Sequence, residues 1–207
     1  MMLQRILFTA LVSYFLGNHN GAICVSAMLH DDVRSHGSGN AGLTNFYRVY
    51  GGKFVALVIL VDMLKAFVAV KLGSVVFDAY LGLRLEGEYF SALFCVIGHI
   101  FPAFYSFKGG KGIACCTGVF VFAFPALGIP AVLLDILTIV LTRYISRGSM
   151  VLVISYAILV SVFKGLWPAG VWAIALALIA IWRHWGNLQR LKNGTERKIG
   201  QKEEKKA

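Results

Sequence analysis

The chain is poor in charge and poorer still in carboxylates. Asp, Glu, Lys and Arg make up 14% of its 207 residues, only ten of them acidic, while 58% of residues are apolar. That scarcity excludes an ordinary soluble domain, which carries about a quarter of its residues as charges. With a mean hydropathy of +0.73, an integral membrane protein is what remains. The sequence also shows no spacing of Cys, His and carboxylates that resembles a zinc or iron site. Its four cysteines, Cys24, Cys95, Cys115 and Cys116, all fall in apolar stretches. They read as small packing or lipid-facing residues, and no metal or other cofactor is expected. The net charge of +10 lies largely in the last 25 residues and otherwise among apolar runs, so nucleic-acid binding is excluded as well.

What the chain has is long apolar runs. About 20 such residues cross a bilayer, and the hydropathy pattern predicts an all-α, polytopic protein with about seven transmembrane helices. They are expected near 3–28, 51–72, 88–107, 112–124, 126–142, 150–165 and 168–183. The Pro125 and Pro130 region separates the fourth from the fifth. The first run, although interrupted by Gly17-Asn18-His19-Asn20-Gly21, reads as a retained helix rather than a secretory signal.

An odd number of crossings puts the termini on opposite sides, and the basic tail sets the orientation. Arg183, Arg190, Lys192, Arg197, Lys198, Lys202, Lys205 and Lys206 place the C-terminus in the cytoplasm. Residues 1–184 then form the transmembrane domain and 185–207 a basic cytoplasmic tail, amphipathic or disordered, against anionic headgroups. Asp62 and Lys65, spaced i, i+3 inside the second run, read as an intramembrane ion pair that fixes packing.

Three glycine-rich basic segments interrupt the apolar pattern, at 37–48, 107–112 and 183–191. Glycine lets backbone N–H groups approach an anion, and neighbouring Lys or Arg supplies the charge, so each is composed like a phosphate cradle. The first offers Ser38, Asn40, Thr44, Asn45 and Arg48; the second Lys108, Gly109, Gly110 and Lys111; the third His184 and Asn187, on one helical face. On the predicted topology all three, with Arg143, Ser146 and Ser149 at 143–149, reach the cytoplasmic face, as one active site requires. His99 reads as a core histidine bonded to backbone.

In their order these segments resemble the acyl-phosphate:glycerol-3-phosphate acyltransferases of bacteria, the PlsY family. The resemblance rests on Gly-Ser-x-Asn-x-Gly-x-Thr-Asn-x-x-Arg at 37–48, Gly-His-x-x-Pro-x-Phe-x-x-Phe-Lys-Gly-Gly-Lys-Gly at 98–112, Arg-Tyr-x-Ser-x-x-Ser at 143–149 and Arg-His-x-x-Asn-x-x-Arg-Leu at 183–191. It implies an inner-membrane enzyme that moves a fatty acyl group from acyl phosphate to the 1-hydroxyl of glycerol 3-phosphate, giving lysophosphatidate and phosphate. It also implies phosphate-binding roles for Ser38, Asn40, Thr44, Arg48, Lys108, Lys111, Ser149, His184 and Asn187, with Arg143 and Ser146 as neighbours. The expected partners are these two substrates and membrane lipid, and the expected state is a monomer.

The chemistry agrees with the residues. An acyl phosphate is already activated, so alignment and charge dispersal suffice, and no carboxylate falls within the three segments. No His is followed five positions on by Asp, as in acyltransferases that use acyl-CoA. A phosphate or organic-anion transporter is the alternative from another class. It would call for inverted repeats and a site at mid-membrane, and no repeat is visible.

Overall fold

The computed structural model describes residues 1–201, so Lys202, Lys205 and Lys206 of the tail lie outside the described residues. Every regular element among those described is helical. The first apolar run is two helices, α1 (Met2–Asn18) and α2 (Gly21–Met28). Next come α3 (Leu43–Tyr50), α4 (Val55–Leu81), α5 (Arg84–Ile100), α6 (Ile113–Ala123) and α7 (Pro125–Thr142). The chain continues through α8 (Ile145–Lys164), an irregular turn at Leu166–Gly170, α9 (Val171–Arg183) and α10 (Trp185–Lys192).

Four segments are long and apolar enough to cross a membrane by length and composition: Arg84–Tyr105, Pro125–Thr142, Ile145–Lys164 and Leu166–Arg183. The element of 11 residues, α6, spans only about 16 Å at 1.5 Å per residue, roughly half the hydrocarbon core. It is embedded instead of lipid-exposed. Cys115, Cys116, Val119 and Phe120 are buried, and Gly118 lets α6 lie close to Met63 and Ala66 of α4.

Most expected helix ends move. The second helix starts at Val55 and runs nine residues past 72 to Leu81, because its apolar face is continued by Gly73, Ser74 and Phe77 packed against Gly87 and Ser91 of α5. The sixth starts at Ile145 instead of 150, so Ser146 and Ser149 occupy its first turns rather than a loop. Beyond His184, α10 gives the beginning of the tail a helix.

The break between α1 and α2 has the clearest physical account. Asn20 caps α2 by accepting from Ile23 N at 3.1 Å and donates to Ala41 O at 2.9 Å. A helix interrupted inside a membrane leaves backbone groups without partners, and water cannot supply them. Here side chains of α4 do so. Lys65 Nζ donates to Gly17 O at 3.2 Å and His19 O at 3.1 Å, while Asp62 Oδ1 accepts from Gly21 N at 3.0 Å. The two side chains pair at 2.8 Å and are buried. His99 differs from its expected backbone partner: its Nδ1 lies 2.8 Å from Lys65 Nζ. An ammonium only donates, so Nδ1 is the acceptor and the ring proton sits on Nε2.

Removing Asp62 therefore strands a buried ammonium. Asp62→Ala is expected to cost about 3–5 kcal/mol, seen as a lowered unfolding midpoint in detergent. Replacing both partners, Asp62→Leu with Lys65→Met, should remain destabilised by about 1–3 kcal/mol for each backbone group left unpaired. A double variant as stable as the native chain would refute the helix-break role.

Candidate active site

Four of these helices begin at one place. The amino ends of α3, α6, α8 and α10 carry Leu43 and Thr44, Gly112 and Ile113, Ile145 and Ser146, and His184 and Gly186, all lining a single cavity of about 470 Å³. Each such end has free N–H groups and a partial positive charge, so their convergence is an anion site before any side chain is counted. The chain achieves it locally. Gly112 takes φ +86°, a left-handed conformation that turns the backbone into α6.

Side chains reinforce that charge. Arg48, Lys111, Arg183, Arg190 and Arg197 line the cavity, and so do Ser38, Asn40, Thr44, Ser146, Ser149, His184 and Asn187. Ten of the fourteen residues singled out from sequence, Asn45 included, thus share one space. The other four do not line it, and each has a visible reason. Lys108 and Arg143 are exposed, and the Arg143 guanidinium donates to Ile199 O at 2.8 Å. Gly109 and Gly110 are buried where a Cβ would strike His99 O, or His99 Nε2 and Ala41 O. They let the loop pass against the end of α5, and their amides bond to Ile100 O and His99 O at 3.1 Å each.

The loop before α3 is organised by Asn45, which sequence reading placed with the anion ligands. Its amide is spent on Val33 O and His36 O at 3.0 Å each, and its Oδ1 accepts from Ser38 N at 2.9 Å. Asn45 shapes the turn that presents Ser38.

Lys111 donates to Asn187 Oδ1, and Arg183 reaches Gly110 O at 3.4 Å, which joins the second segment to the third. Burial, with Arg190 next among the causes, holds the Lys111 ammonium down to about 8. His184 Nδ1 lies 2.8 Å from Ala180 O. Since a carbonyl only accepts, the proton is on Nδ1 and Nε2 presents a lone pair. Burial holds this imidazole down to about 4. It is neutral at pH 7 and too weakly basic to match the usual optimum for a general base.

Two carboxylates enter from outside the glycine-rich segments. Glu196 accepts from Asn187 Nδ2 and Arg190 Nε at 2.7 Å each, and Asp135 of α7 lines the wall. Sequence reading missed both. Glu196 sits in a tail expected at the headgroups, and Asp135 inside a span. The other wall is apolar, with Ile59, Met63, Ile113 and Ile139. No group of three His, Cys, Asp or Glu capable of holding a metal occurs among the described residues.

A cationic, amide-lined cavity with an apolar wall suits a molecule that has a phosphate at one end and a lipid chain at the other. Residues 7–194 match the protein family described as glycerol-3-phosphate acyltransferase. The chain belongs to that family. Among curated relatives, the glycerol-3-phosphate acyltransferase of Thermoanaerobacter sp. (strain X514) is 38% identical over 197 residues, 95% of this chain and 96% of the relative. That of Finegoldia magna is 38% identical over 201 residues, covering 94% and 96%. Among solved structures, PlsY (YgiH), an integral membrane glycerol 3-phosphate acyltransferase in its glycerol 3-phosphate form, superposes with a TM-score of 0.82 at 31% identity, over 94% of this chain and 96% of that one. Its lysophosphatidic acid form gives 0.78 at 32% identity, over 94% and 95%.

This acyltransferase is therefore an integral membrane enzyme with a preformed anion pocket, and Lys111 makes the pocket sensitive to pH. A phosphate monoester becomes a dianion above about pH 6, and Lys111 keeps its charge only below about 8. Phosphate-monoester binding should be tightest between those limits and weaken as pH rises through 8, measured by calorimetry from pH 6 to 9.5. Lys111→Arg, whose guanidinium does not titrate there, should flatten the upper limb.

Proposed function

We propose that this acyltransferase uses acyl phosphate as donor and the 1-hydroxyl of glycerol 3-phosphate as acceptor, releasing lysophosphatidate and inorganic phosphate. The observation that carries the reading is the convergence of four helix amino ends and the cations of the clamp on one cavity that also has an apolar wall. PlsY has been solved in a glycerol 3-phosphate form and a lysophosphatidic acid form, an acceptor and a product of this chemical class.

In this reading Ser38, Arg48, Lys111 and His184 touch the reacting molecules, and Asn40, Thr44, Ser146, Ser149 and Asn187 complete the set of donors. The hydroxyl oxygen attacks the acyl carbonyl carbon, and the carbon–oxygen bond to phosphate breaks. The departing phosphate takes the hydroxyl proton. His184 Nε2 orients the hydroxyl and is not an obligatory base, in keeping with its weak basicity. Cations and helix amides spread the charge that develops on the carbonyl and leaving phosphate. No cofactor is needed.

We place the seven-crossing body, 1–184, in the bacterial inner membrane with the pocket facing the cytoplasm, as the positive charge near the cavity and in the tail favours. The tail from 185 closes one wall through Asn187, Arg190 and Glu196. The enzyme acts as a monomer, and its acyl chain lies among bilayer lipid.

The test is acyl transfer by purified protein to labelled glycerol 3-phosphate from palmitoyl phosphate, palmitoyl-CoA or palmitoyl-acyl carrier protein. Lysophosphatidate is expected from the acyl phosphate alone, and product from the thioesters alone would overturn the donor assignment. Arg48→Ala and Lys111→Ala should each lower activity at least ~100-fold, since each removes a charge-assisted donor from a partly desolvated site. Near-normal rates in either would undo the clamp.

A further inference from the structure

Asp135 is the one ionisable residue in α7, an 18-residue helix of mean hydropathy 2.0. Most of that helix faces outward: only Gly128 and Ala131 are buried. A carboxylate in such a setting is costly and by default marks a site. One observation places it at the cavity, and two more show that the protein leaves its carboxylate unpaired. Asp135 lines the same wall as Ile139, one turn further along α7. Its Oδ1 is buried and accepts no hydrogen bond among the described residues. The helix opposite carries Gly148 where a Cβ would strike that oxygen, so α8 leaves room for it.

The position along the helix matters. Asp135 precedes the end of α7 at Thr142 by seven residues, about 10 Å at 1.5 Å per residue. Lys111 and Arg183, in contrast, stand at helix ends. A phosphate held by those cations leaves the rest of a small phosphate ester to the remainder of the cavity, whose lining includes Asp135. A carboxylate repels phosphate, so it faces the neutral part of the ligand, where the only donors on glycerol 3-phosphate are its two hydroxyls. The 1-hydroxyl is occupied by attack on the carbonyl and loses its proton to the departing phosphate.

We infer that Asp135 accepts a hydrogen bond from the 2-hydroxyl of the acceptor, and so selects a glycerol phosphate over a simple alkanol phosphate. The inference rests on the acceptor assignment above. It gives the carboxylate a partner that the protein does not supply, through Oδ2, since the buried Oδ1 is turned against Gly148 of α8, and a site built to bond a hydroxyl discriminates strongly against an analogue that lacks it.

The test compares glycerol 3-phosphate with 3-hydroxypropyl phosphate, which keeps the reacting hydroxyl and lacks the 2-hydroxyl, using palmitoyl phosphate as donor. The native enzyme is expected to prefer glycerol 3-phosphate by ~10–100-fold in kcat/KM. Asp135→Ala and Asp135→Leu should bring the two acceptors within ~3-fold, by losing activity toward glycerol 3-phosphate while 3-hydroxypropyl phosphate is used as before. Asp135→Asn, which retains an acceptor oxygen, should keep part of the preference. Ligand-induced shifts in the unfolding midpoint, measured with both compounds, read the same discrimination without turnover, so a slow variant still reports.

A native enzyme without preference, or variants that keep the full native preference by both measurements, would overturn the assignment. Acylation of neither acceptor by the native protein overturns the proposed reaction, and this inference with it.

Discussion

The fold depends on satisfying a helix broken in the buried interior of the bundle. Between α1 and α2 two carbonyls and one amide lose their helical partners, and Asp62 and Lys65 take them over while pairing with each other. Neither charge would be tolerable alone at that depth, and the pair alone does not stabilise by default. What makes it worthwhile is the backbone it completes. The three N–H bonds of Lys65 are shared among Asp62, His99 and the two carbonyls, so α1, α4 and α5 are fixed at one point. His99 then presents its far side to Gly110, and the loop that carries Lys111 is laid over that surface. Asn20 bonds Ala41 and holds the loop that leads to Ser38 from the same junction.

Hydropathy reveals where helices are, because apolar runs in a low-charge chain have few alternatives. It says little about where they stop. The end of α4 is set by packing of Gly73 and Phe77 on α5, a contact with no local signature. The break after Asn18 was visible as a polar interruption, yet Gly, Asn and His are all tolerated in an embedded helix. Only the positions of Asp62 and Lys65 across from it decide the matter. The ion pair itself was legible from its i, i+3 spacing, and its purpose was not.

The gathering of the glycine-rich segments at one cavity was legible in the sequence, for a physical reason. Phosphate recognition uses glycine, hydroxyl, amide and cation in short loops ahead of helices, and those signals are local. Composition could not separate ligands from scaffolding within a segment. Asn45 and Gly110 stand among candidate ligands, but one shapes its own loop and the other lets two backbones pass. Glu196 had no signal, since a lone carboxylate in a basic tail gains meaning only from what lies across from it, whereas Asp135, the one ionisable residue of an apolar helix, carried a signal that named no partner.

The cavity's charge explains how the enzyme can work without a nucleophile or a strong base. Arg48, Lys111, Arg183 and Arg190 crowd one space against Glu196, whose oxygens already serve Asn187 and Arg190. Burial first, and the neighbouring arginines after it, depress the Lys111 ammonium. The fold accepts this repulsion when it folds, and an arriving phosphate relieves it. Relief is greatest for the species with most negative charge on its oxygens, so in the proposed reaction the same arrangement that admits phosphate favours the state in which carbonyl and leaving phosphate both carry charge. The dipoles and cations are fixed before the substrate arrives, and little reorganisation is left to oppose the reaction at the moment of transfer.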